Sequence, residues 1–342
     1  MEKEITIYDI AKELSISPTT VSRGLNNHPA VNKNTKQKIF DAATQMGYRS
    51  NAFASKLRKQ RTNTIGVIVP RLDSNFQSSV MAGMEKVANE AGYNLIISQS
   101  LETVQKEMAN ARTMFENRVD GLLVSLAYDT ENTDHFEPFF SKGIPLLFYD
   151  RVPEGKQCTS IVINNIQAAH RATSLLIEQG CKRIVHISGN LKVNVYKDRL
   201  KGYKYALMDH DIPFNDDYVI PTNLSEEAGI QAAKQILQLN PRPDGIFVSN
   251  DYCAVSCIKT LKQAGISIPE DIAVVGFNND PITRVVEPNL TSIDYPGYEM
   301  GEVAVRSLIN YLDGMSDVSI TNTITLRSEL VVRESSLKKG KS

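Results

Sequence analysis

The stretch "SISPTTVSRGLNNHPAV" (residues 15–31) has the pattern of a short helix that could enter a groove. Ser17 is a favourable N-cap and Pro18 a favourable first helical residue, so we expect a helix that begins at Pro18. Val21 and Leu25, four positions apart, predict its buried side. Residues with short hydroxyl side chains and one arginine lie on or beside the outer face of this predicted helix. Such a helix suits the major groove of DNA, and a polar surface helix is the alternative interpretation.

Two further helices are predicted beside this stretch. Thr6 and Asp9 form a capping box at the start of "TIYDIAKEL" (residues 6–14). A third helix is expected from about residue 33 to 46, ending at Gly47. Gly24 would permit close approach of another helix. The predicted buried residues of the third helix are Ile39, Phe40, Ala43 and Met46. Three helices in this order predict a helix-turn-helix head.

A basic segment follows this head. In "SNAFASKLRKQRTN" (residues 50–63), Phe53 and Leu57 are four apart among basic residues, which fits a solvated linker or a helix that forms on DNA. Residues 1–61 carry 11 Lys/Arg against 5 Asp/Glu, whereas residues 62–342 carry 27 against 34. A basic head on an acidic body indicates a polyanionic partner for the head.

The remainder alternates between apolar strands and helices. "TIGVIVP" (residues 64–70) is typical of a strand buried on both faces, and similar runs recur as far as "DIAVVGF" (271–277). This alternation predicts parallel sheets with right-handed crossovers, divided between two lobes. The expected organisation is a helix-turn-helix head (1–49), a hinge helix and linker (50–61) and a core (62–342), with lobe one at 62–163 plus 295–320 and lobe two at 164–290.

Several classes of protein are excluded or disfavoured. An apolar run long enough to cross a membrane and a signal-peptide core are both absent, so we expect a cytoplasmic location. Cys253 and Cys257 are four apart, but without a second pair or a nearby histidine they are interpreted as buried thiols; no metal and no cofactor are expected. P-loop, GxSxG and HExxH motifs are also absent.

Enzymatic chemistry is therefore not expected. His186 lies in a predicted strand and His170 in a predicted helix, and both are interpreted as structural. Asp150 and Asp280 could act as a glycosidase pair only with a suitable separation and a raised pKa.

The ordered motifs carry a family resemblance over essentially the whole length. They are "TIYDIAKELSISPTTVSRGLNN", "VNKNTKQKIFDAATQMGY", "SNAFASKLR", "TIGVIVP", "VDGLLVS", "FYDR", "HISGN", "VSNDYCA" and "VVGFNND". In this order they resemble the LacI (lac repressor–type) family of bacterial transcription regulators. The resemblance implies a periplasmic-binding-protein-like core, a homodimer on a near-palindromic operator, and a small-molecule cleft that controls repression.

Family positions can be transferred to matching residues of the head. The resemblance implies base contacts by Pro18, Thr19 and Arg23, and Arg23 can form a bidentate pair with guanine. It implies that Leu57 inserts into the minor groove and kinks the duplex. The residues that resemble phosphate contacts are Ser17, Thr20, Ser22 and Asn26.

Effector residues are predicted from strand ends, because ligands bind beyond the carboxyl ends of open parallel sheets. Asp251 is interpreted as a helix cap, and Asn190 as a cap or a ligand. The predicted effector residues are Phe76, Asp150, Arg151, Asn190, Arg199, Asn250, Asn278, Asn279 and Asp280. By resemblance, the pocket is lined by Asp150, Arg199, Asn250 and residues 278–280. Asn278 and Asn279 replace acids that are frequent in the family.

The chemistry of this set favours a polyhydroxylated effector. Amides, carboxylates and arginine match hydroxyl groups, each of which both donates and accepts hydrogen bonds. A nucleobase would call for more aromatic walls, so a sugar or sugar derivative is preferred. A nucleoside-type effector and a protein corepressor remain the alternatives.

Overall fold

The computed structural model describes residues 5–48, 61–154, 158–315 and 323–338. By their internal contacts, the residues separate into two units, Met1–Thr62 and Asn63–Ser342, which we call the head and the body. None of the helices in the described ranges combines the length and the apolar character needed to cross a bilayer.

The described part of the head is a three-helix unit. Its core contains Ile10, Val21 and Ile39, which are completely buried. Two predicted caps are confirmed: the Thr20 N–H donates to Ser17 Oγ at 3.1 Å, and the Thr6 N–H donates to the Asp9 carboxylate at 2.8 Å. The helices are α1 (Ile7–Glu13), α2 (Pro18–Leu25) and α3 (Lys33–Gln45).

Gly24 lies at the point where α2 approaches α3 closely. A Cβ atom at this position would collide with the end of the Ile39 side chain, so the predicted packing role of the glycine is confirmed. The prediction for Phe40 is wrong, since 44% of its surface is exposed. Ala42 occupies the buried position instead, because it lies three residues after Ile39 on the same helical face.

Two six-stranded sheets form the body. The strands of the first are β1 (Thr64–Val69), β2 (Asn94–Gln99), β3 (Gly121–Val124), β4 (Leu146–Tyr149), β5 (Ser160–Ile163) and β11 (Thr323–Leu326). Those of the second are β6 (Ile184–Ser188), β7 (Val219–Pro221), β8 (Gly245–Val248), β9 (Ala273–Asn278), β10 (Thr291–Asp294) and β12 (Glu329–Val331). Their orders are β11-β5-β4-β3-β1-β2 and β12-β10-β9-β8-β6-β7.

The predicted parallel architecture is confirmed, with one antiparallel strand among those described, β12, at the edge beside β10. Each sheet reverses its strand order at its first strand, β1 or β6. Ligands bind at such switch points, outside the carboxyl ends of the strands. The strand orders therefore place one switch point between β1 and β3 and another between β6 and β8.

Helices cover both sheets. The described α-helices of the body are α4 (Asn75–Glu90), α5 (Val104–Glu116), α6 (Glu137–Ser141), α7 (Asn165–Glu178), α8 (Asn194–Asp209), α9 (Glu226–Gln238), α10 (Asp251–Gln263) and α11 (Gly297–Leu312). Short 3₁₀ turns occupy Asp134–Phe136, Asp216–Tyr218, Pro281–Arg284 and Glu334–Ser336. The first sheet with α4–α6 and α11 is lobe one, and the second sheet with α7–α10 is lobe two.

The chain passes between the lobes three times: between β5 and α7, between β10 and α11, and between β11 and β12. The second sheet therefore continues through β10, past the expected limit at residue 290. Lobe one ends with β11, past the expected limit at 320. Such short strands carry too few residues for a periodic pattern to assign them to a sheet.

Helix α11 packs tightly on α4 through two glycines. A Cβ atom at Gly83 would collide with the Tyr298 carbonyl, and one at Gly301 with the Val80 carbonyl. The contact therefore requires glycine on each helix, and it fastens a late part of the chain to the first lobe.

The cysteines and His186 lie where the sequence interpretation puts them. Cys253 and Cys257 are buried free thiols on α10, and burial raises the pKa of Cys253 to about 12. His186 is fully buried on β6 and stacks on Phe247 at a centroid distance of 4.7 Å. Burial lowers the pKa of His186 to about 3, so the ring is neutral near pH 7.

Candidate nucleic-acid interface and ligand cleft

The outer side of α2 presents the residues expected to contact DNA. Thr19 and Arg23 are exposed, and the guanidinium of Arg23 donates no hydrogen bond to any residue of the described ranges. Pro18 is half-buried at the first turn. The guanidinium of Arg23 thus has all of its donors free for an external acceptor, as bidentate contact with a base would require.

The residues expected at phosphates also have local partners. The hydroxyls of Ser17 and Thr20 lie 2.8 Å apart, and Asn26 Nδ2 donates to the Ser22 carbonyl at 2.7 Å. These bonds fix the two ends of α2 and order the polar groups along it. Leu57, the expected minor-groove residue, lies outside the described residues.

A cavity of about 780 Å³ opens between the two lobes of the body. Its walls come from the loops that follow β1 to β4 in lobe one, from the loops that follow β6 to β10 in lobe two, and from α8. This is the edge of the sheets that parallel topology favours for ligands. We call this cavity the cleft.

Asp150, at the end of β4, accepts hydrogen bonds from three side chains of its own protein. Its Oδ1 accepts from the Tyr295 hydroxyl at 2.7 Å, and its Oδ2 lies 3.3 Å from Ser125 Oγ and 3.4 Å from Gln77 Nε2. Burial, followed by the charge of Asp150, raises the pKa of Tyr295 well above its ordinary value. The carboxylate therefore organises the floor of the cleft through Tyr295 and Gln77.

Arg199, on α8, is a buried cation with an unused donor group. It is 3% exposed, and its Nε and Nη1 donate to Asn165 Oδ1 at 2.9 Å and to the Ser249 carbonyl at 3.0 Å. Its Cζ lies 3.5 Å from the centroid of Phe277. Nη2 makes no hydrogen bond to the described residues. Burial lowers the arginine pKa, but an arginine side chain stays protonated in proteins.

Tyr128 joins the lobes across one side of the cleft. Its hydroxyl accepts from the Asn190 N–H at 2.9 Å and lies 3.4 Å from the Thr222 carbonyl. Asn190 Nδ2 donates to the Tyr128 carbonyl at 3.1 Å. The Asn190 side chain also accepts from the Lys192 N–H, so it works as a bridge and a turn cap.

The loop that carries Tyr128 is held by reciprocal bonds with α5. The Ala127 N–H donates to the buried Glu107 carboxylate at 2.7 Å, and Asp129 accepts the Val104 N–H at 2.6 Å. Because the helix and the loop cap one another, Tyr128 projects from a fixed base.

Arg151 is fixed mainly by residues of lobe one. Its Nη1 donates to Glu102 Oε2 at 2.6 Å, and its Cζ lies 5.1 Å from the ring centroid of Tyr128. The ring of Tyr196, on α8 of lobe two, lies 5.9 Å away. Arg151 therefore stabilises an aromatic contact between the lobes as well as lining the cleft.

Polar residues from lobe two complete the cleft. Asn250 caps α10 by accepting the Cys253 N–H, which leaves its amide nitrogen available to a ligand. Asn278 Nδ2 lies 3.4 Å from Asp280 Oδ2, and both residues line the cleft. Burial raises the pKa of Asp280 to about 6. Asp251 is fully buried and accepts the Asp280 N–H at 2.8 Å, so it supports the loop.

Two family profiles match this chain. The profile described as bacterial regulatory proteins, lacI family, matches residues 6–51, and the profile of a periplasmic binding protein-like domain matches residues 173–336. Catabolite control protein A of Priestia megaterium is 34% identical over 310 residues, which cover 90% of this chain and 93% of that protein. The chain belongs to the lacI family of bacterial regulatory proteins. Transcription regulation through a DNA-binding head and an effector-binding body follows from this membership.

Solved structures match the lacI-family fold over nearly the whole chain. A lac repressor dimer bound to operator and the anti-inducer ONPF gives a TM-score of 0.87 at 24% identity, covering 98% of this chain and all of that one. A CelR–cellobiose complex gives a TM-score of 0.73 at 25% identity, covering 97% and 100%.

In this lacI-family regulator, one predicted effector residue is placed elsewhere. Asn279 does not line the cleft; its side chain donates to Asp294 at 2.8 Å and accepts from Arg333 at 2.7 Å. The backbone is left-handed at Asn278 and Asn279, and the second amide bonds to the last residue of β10 and to Arg333, which follows β12. The other predicted residues that reach the cleft are Phe76, Asp150, Arg151, Asn190, Arg199, Asn250, Asn278 and Asp280.

Aromatic residues of the lacI-family cleft were missed by the sequence reasoning. Tyr295 directly follows β10 and stacks on Phe76 at a centroid distance of 4.3 Å. The strand-end rule would have found it, had the short strand before it been recognised. The missed aromatic residues of the cleft are Tyr128, Tyr196, Tyr252 and Tyr295. The cleft therefore contains more aromatic residues than the predicted set, in which Phe76 was the one aromatic residue.

Proposed function

We propose that this lacI-family protein is a repressor that binds a near-palindromic operator as a homodimer and is switched by a small polar effector in the cleft. The effector is a sugar or a sugar derivative. The observation that carries this assignment is Arg199, whose buried guanidinium keeps an unused Nη2 at the cleft. A ligand oxygen that accepts from Nη2 forms a charge-assisted hydrogen bond, one of the strong kinds.

The head reads the operator through α2. Arg23 contacts a guanine, with Pro18 and Thr19 against neighbouring base edges. Phosphate contacts by the polar groups at the ends of α2 set the register of the helix and carry little sequence information. Their members are Ser17, Thr20, Ser22 and Asn26.

Operator selection from randomised duplexes tests this assignment. Arg23→Ala should relax base preference at one position of each half-site by about 1–3 kcal/mol of discrimination. Lys38→Ala, which removes a positive charge from α3, should leave base preference intact. Equal weakening on all sequences would assign Arg23 to a phosphate.

The hinge contributes by bending the operator. Leu57 inserts at the central step, where partial unstacking kinks the duplex. Leu57→Ala should reduce the bend measured by energy transfer between labelled duplex ends, while the selected half-site sequence stays unchanged. An unaltered bend would reject the insertion.

A sugar fits the cleft better than a nucleobase because most aromatic rings of the cleft already contact another ring or the guanidinium of Arg151. Phe76 and Tyr295 stack on one another and are almost fully buried. The rings of Tyr128 and Tyr196 face the guanidinium of Arg151. Few ring faces remain to sandwich a base, whereas the free amide and guanidinium groups suit hydroxyls. Tyr252, 45% exposed, supports a nucleoside as the second candidate.

A thermal-shift screen against sugars, sugar phosphates, uronic acids and nucleosides tests the effector class. A ligand at 100 times its Kd adds about 2.7 kcal/mol to the free energy of unfolding if it binds only the folded state. A sugar hit should also change operator affinity, because coupling between the two sites is reciprocal. A response to nucleosides alone would select the second candidate, and no response would direct the search to a protein corepressor.

A further inference from the structure

We propose that a second cavity, beside the cleft, is a separate binding site for a neutral polyhydroxylated ligand of monosaccharide size. This seam cavity has a volume of about 420 Å³. Lobe one supplies residues 126–127, 130–133 and 151–154 of its walls, and lobe two supplies residues 192–194, which precede and begin α8. It goes beyond the proposed function, which concerns the cleft alone.

Arg151 divides the seam cavity from the cleft. Among the residues that the structure describes, Arg151 alone lines both spaces. Its guanidinium is held by the Glu102 carboxylate at 2.6 Å and packs near the rings of Tyr128 and Tyr196. A wall fixed from several sides does not swing aside at low cost. The fixed side chain of Arg151 therefore stands between the two cavities.

The seam cavity is lined by a residue with an unused polar group. Thr133 is 3% exposed, and its hydroxyl finds no hydrogen-bond partner among the described residues. Its neighbour Thr130 is satisfied, since its hydroxyl donates to Glu107 at 2.9 Å. A buried unsatisfied hydroxyl is costly, so a ligand hydroxyl that reached it would gain a bond that the protein lacks.

The charges around the seam cavity select a neutral ligand. Glu131 and Lys192 form an ion pair across the seam at 2.9 Å. Glu154 pairs with Lys197 at the same distance, while Arg151 is matched by Glu102. Because every charged group on the walls already has an opposite partner, an ionic ligand would have to break a pair. Hydroxyl groups can add bonds to paired carboxylates and ammonium groups without displacing them.

An apolar part of the cavity wall can contact the C–H groups on the face of a sugar ring. Leu126, Val152, Pro153 and Val193 supply aliphatic surface to the cavity. A sugar ring carries C–H groups on its faces and hydroxyls around its edge, so it fits a cavity with aliphatic and polar walls. Because both lobes contribute, occupancy also favours the arrangement in which the lobes are together.

Hydrogen exchange of the full-length protein with glucose, galactose, ribose and sorbitol, each at millimolar concentration, tests the seam site. Protection is expected in residues 130–133 and 192–194, which line the seam cavity and not the cleft. Arg199→Ala removes the unused donor of the cleft, and it should keep this protection. Asn132→Trp, a substitution at an exposed residue of the wall, should abolish it, with Asn132→Ala as the matched control.

Thr133→Val tests the unused hydroxyl at nearly constant volume, and we expect it to weaken the seam protection about tenfold. Protection confined to the cleft loops at residues 74–77 and 249–252 would overturn the seam site and leave the proposed effector cleft standing. Equal seam protection in Asn132→Trp, or none with any of these sugars in wild-type protein, would also overturn it. A requirement for a phosphorylated sugar would overturn the neutral class.

Discussion

The head and the body differ in how far along the chain their polar contacts reach. In the head, Ser17 bonds to Thr20 and Asn32 to Thr35, each over three positions. In the body, Asp150 bonds to Tyr295 over 145 positions. The loss of a local cap removes one hydrogen bond within a single helix. The loss of a buried group of the body removes hydrogen bonds to several elements that are distant in the sequence. Single substitutions should therefore cost more in the body than in the head.

Arg199→Ala is the strongest challenge to this difference. It leaves the Asn165 side chain and the Ser249 carbonyl without their charged donor, and should lower the free energy of unfolding of the body by about 3 kcal/mol. It should also abolish the effector response while operator binding persists. Denaturant unfolding and operator titration with the effector measure both effects.

Arg199→Lys is the matched control for charge, since lysine keeps the cation but lacks the planar fork of donors. It should restore part of the stability and little of the response. A full effector response in Arg199→Ala would move the effector site away from this residue.

His186 should make the stability of the body depend on pH. Its folded pKa of about 3 lies below the unfolded value near 6.5, so below pH 6.5 the unfolded chain binds a proton that the folded chain does not. The free energy of unfolding should fall by about 2 kcal/mol between pH 6.5 and pH 5. Denaturant titrations at several pH values in this range should show that the free energy of unfolding depends less steeply on pH in His186→Gln than in wild type.

His186→Phe keeps an aromatic ring beside Phe247 and cannot bind a proton, so this matched variant should show the same weak pH dependence as His186→Gln. Parallel pH profiles for wild type and His186→Gln would show that burial of this ring does not govern the titration.

Tyr128→Phe sharpens the comparison within the body by removing one contact between the lobes. The Asn190 N–H loses its acceptor. The free-energy difference that favours the lobes together over the lobes apart should therefore fall by about 1.5 kcal/mol. Small-angle scattering should show a larger radius of gyration than wild type. Tyr205→Phe, at an exposed tyrosine on α8, should leave the radius unchanged.

Ser17→Ala should have the smallest effect, because it removes one cap from α2. We expect the free energy of unfolding of the head to fall by about 1 kcal/mol, measured on the thermal transition of the head. Thr19→Ala, an exposed neighbour without a hydrogen bond to the described residues, is the control. A loss in the head as large as that of Arg199→Ala in the body would erase the contrast.

The sequence separation between hydrogen-bond partners also determines which features the sequence could predict. Caps such as Ser17 and the stop at Gly47 are visible because their partners lie within one helical turn. Phe40 was predicted to be buried together with its neighbour Ile39, but it lies one position away from the buried face of the helix. Adjacent residues of a helix differ by about 100° in direction, so a neighbour of a buried residue can face solvent.

In the cleft, strand ends could be predicted but side-chain directions could not. The strand-end rule brings Asp150 and Asn250 to the correct edge without knowledge of their partners. Asn279 follows the same rule and yet turns away, because its amide oxygen accepts a hydrogen bond from Arg333, which lies 54 positions along the chain. Tyr295 was missed because the four-residue strand before it carries too short a pattern.

The three passages of the chain between the lobes have a consequence for synthesis on the ribosome. Domains generally fold as units while the chain emerges from its N-terminus. Here the first five strands of lobe one emerge long before α11 and β11, which complete that lobe. The face of α4 around Gly83 has no helix against it until residues 297–312 have been made. Lobe one therefore cannot be finished before lobe two is almost entirely translated, and the nascent body must keep an open apolar surface throughout that interval.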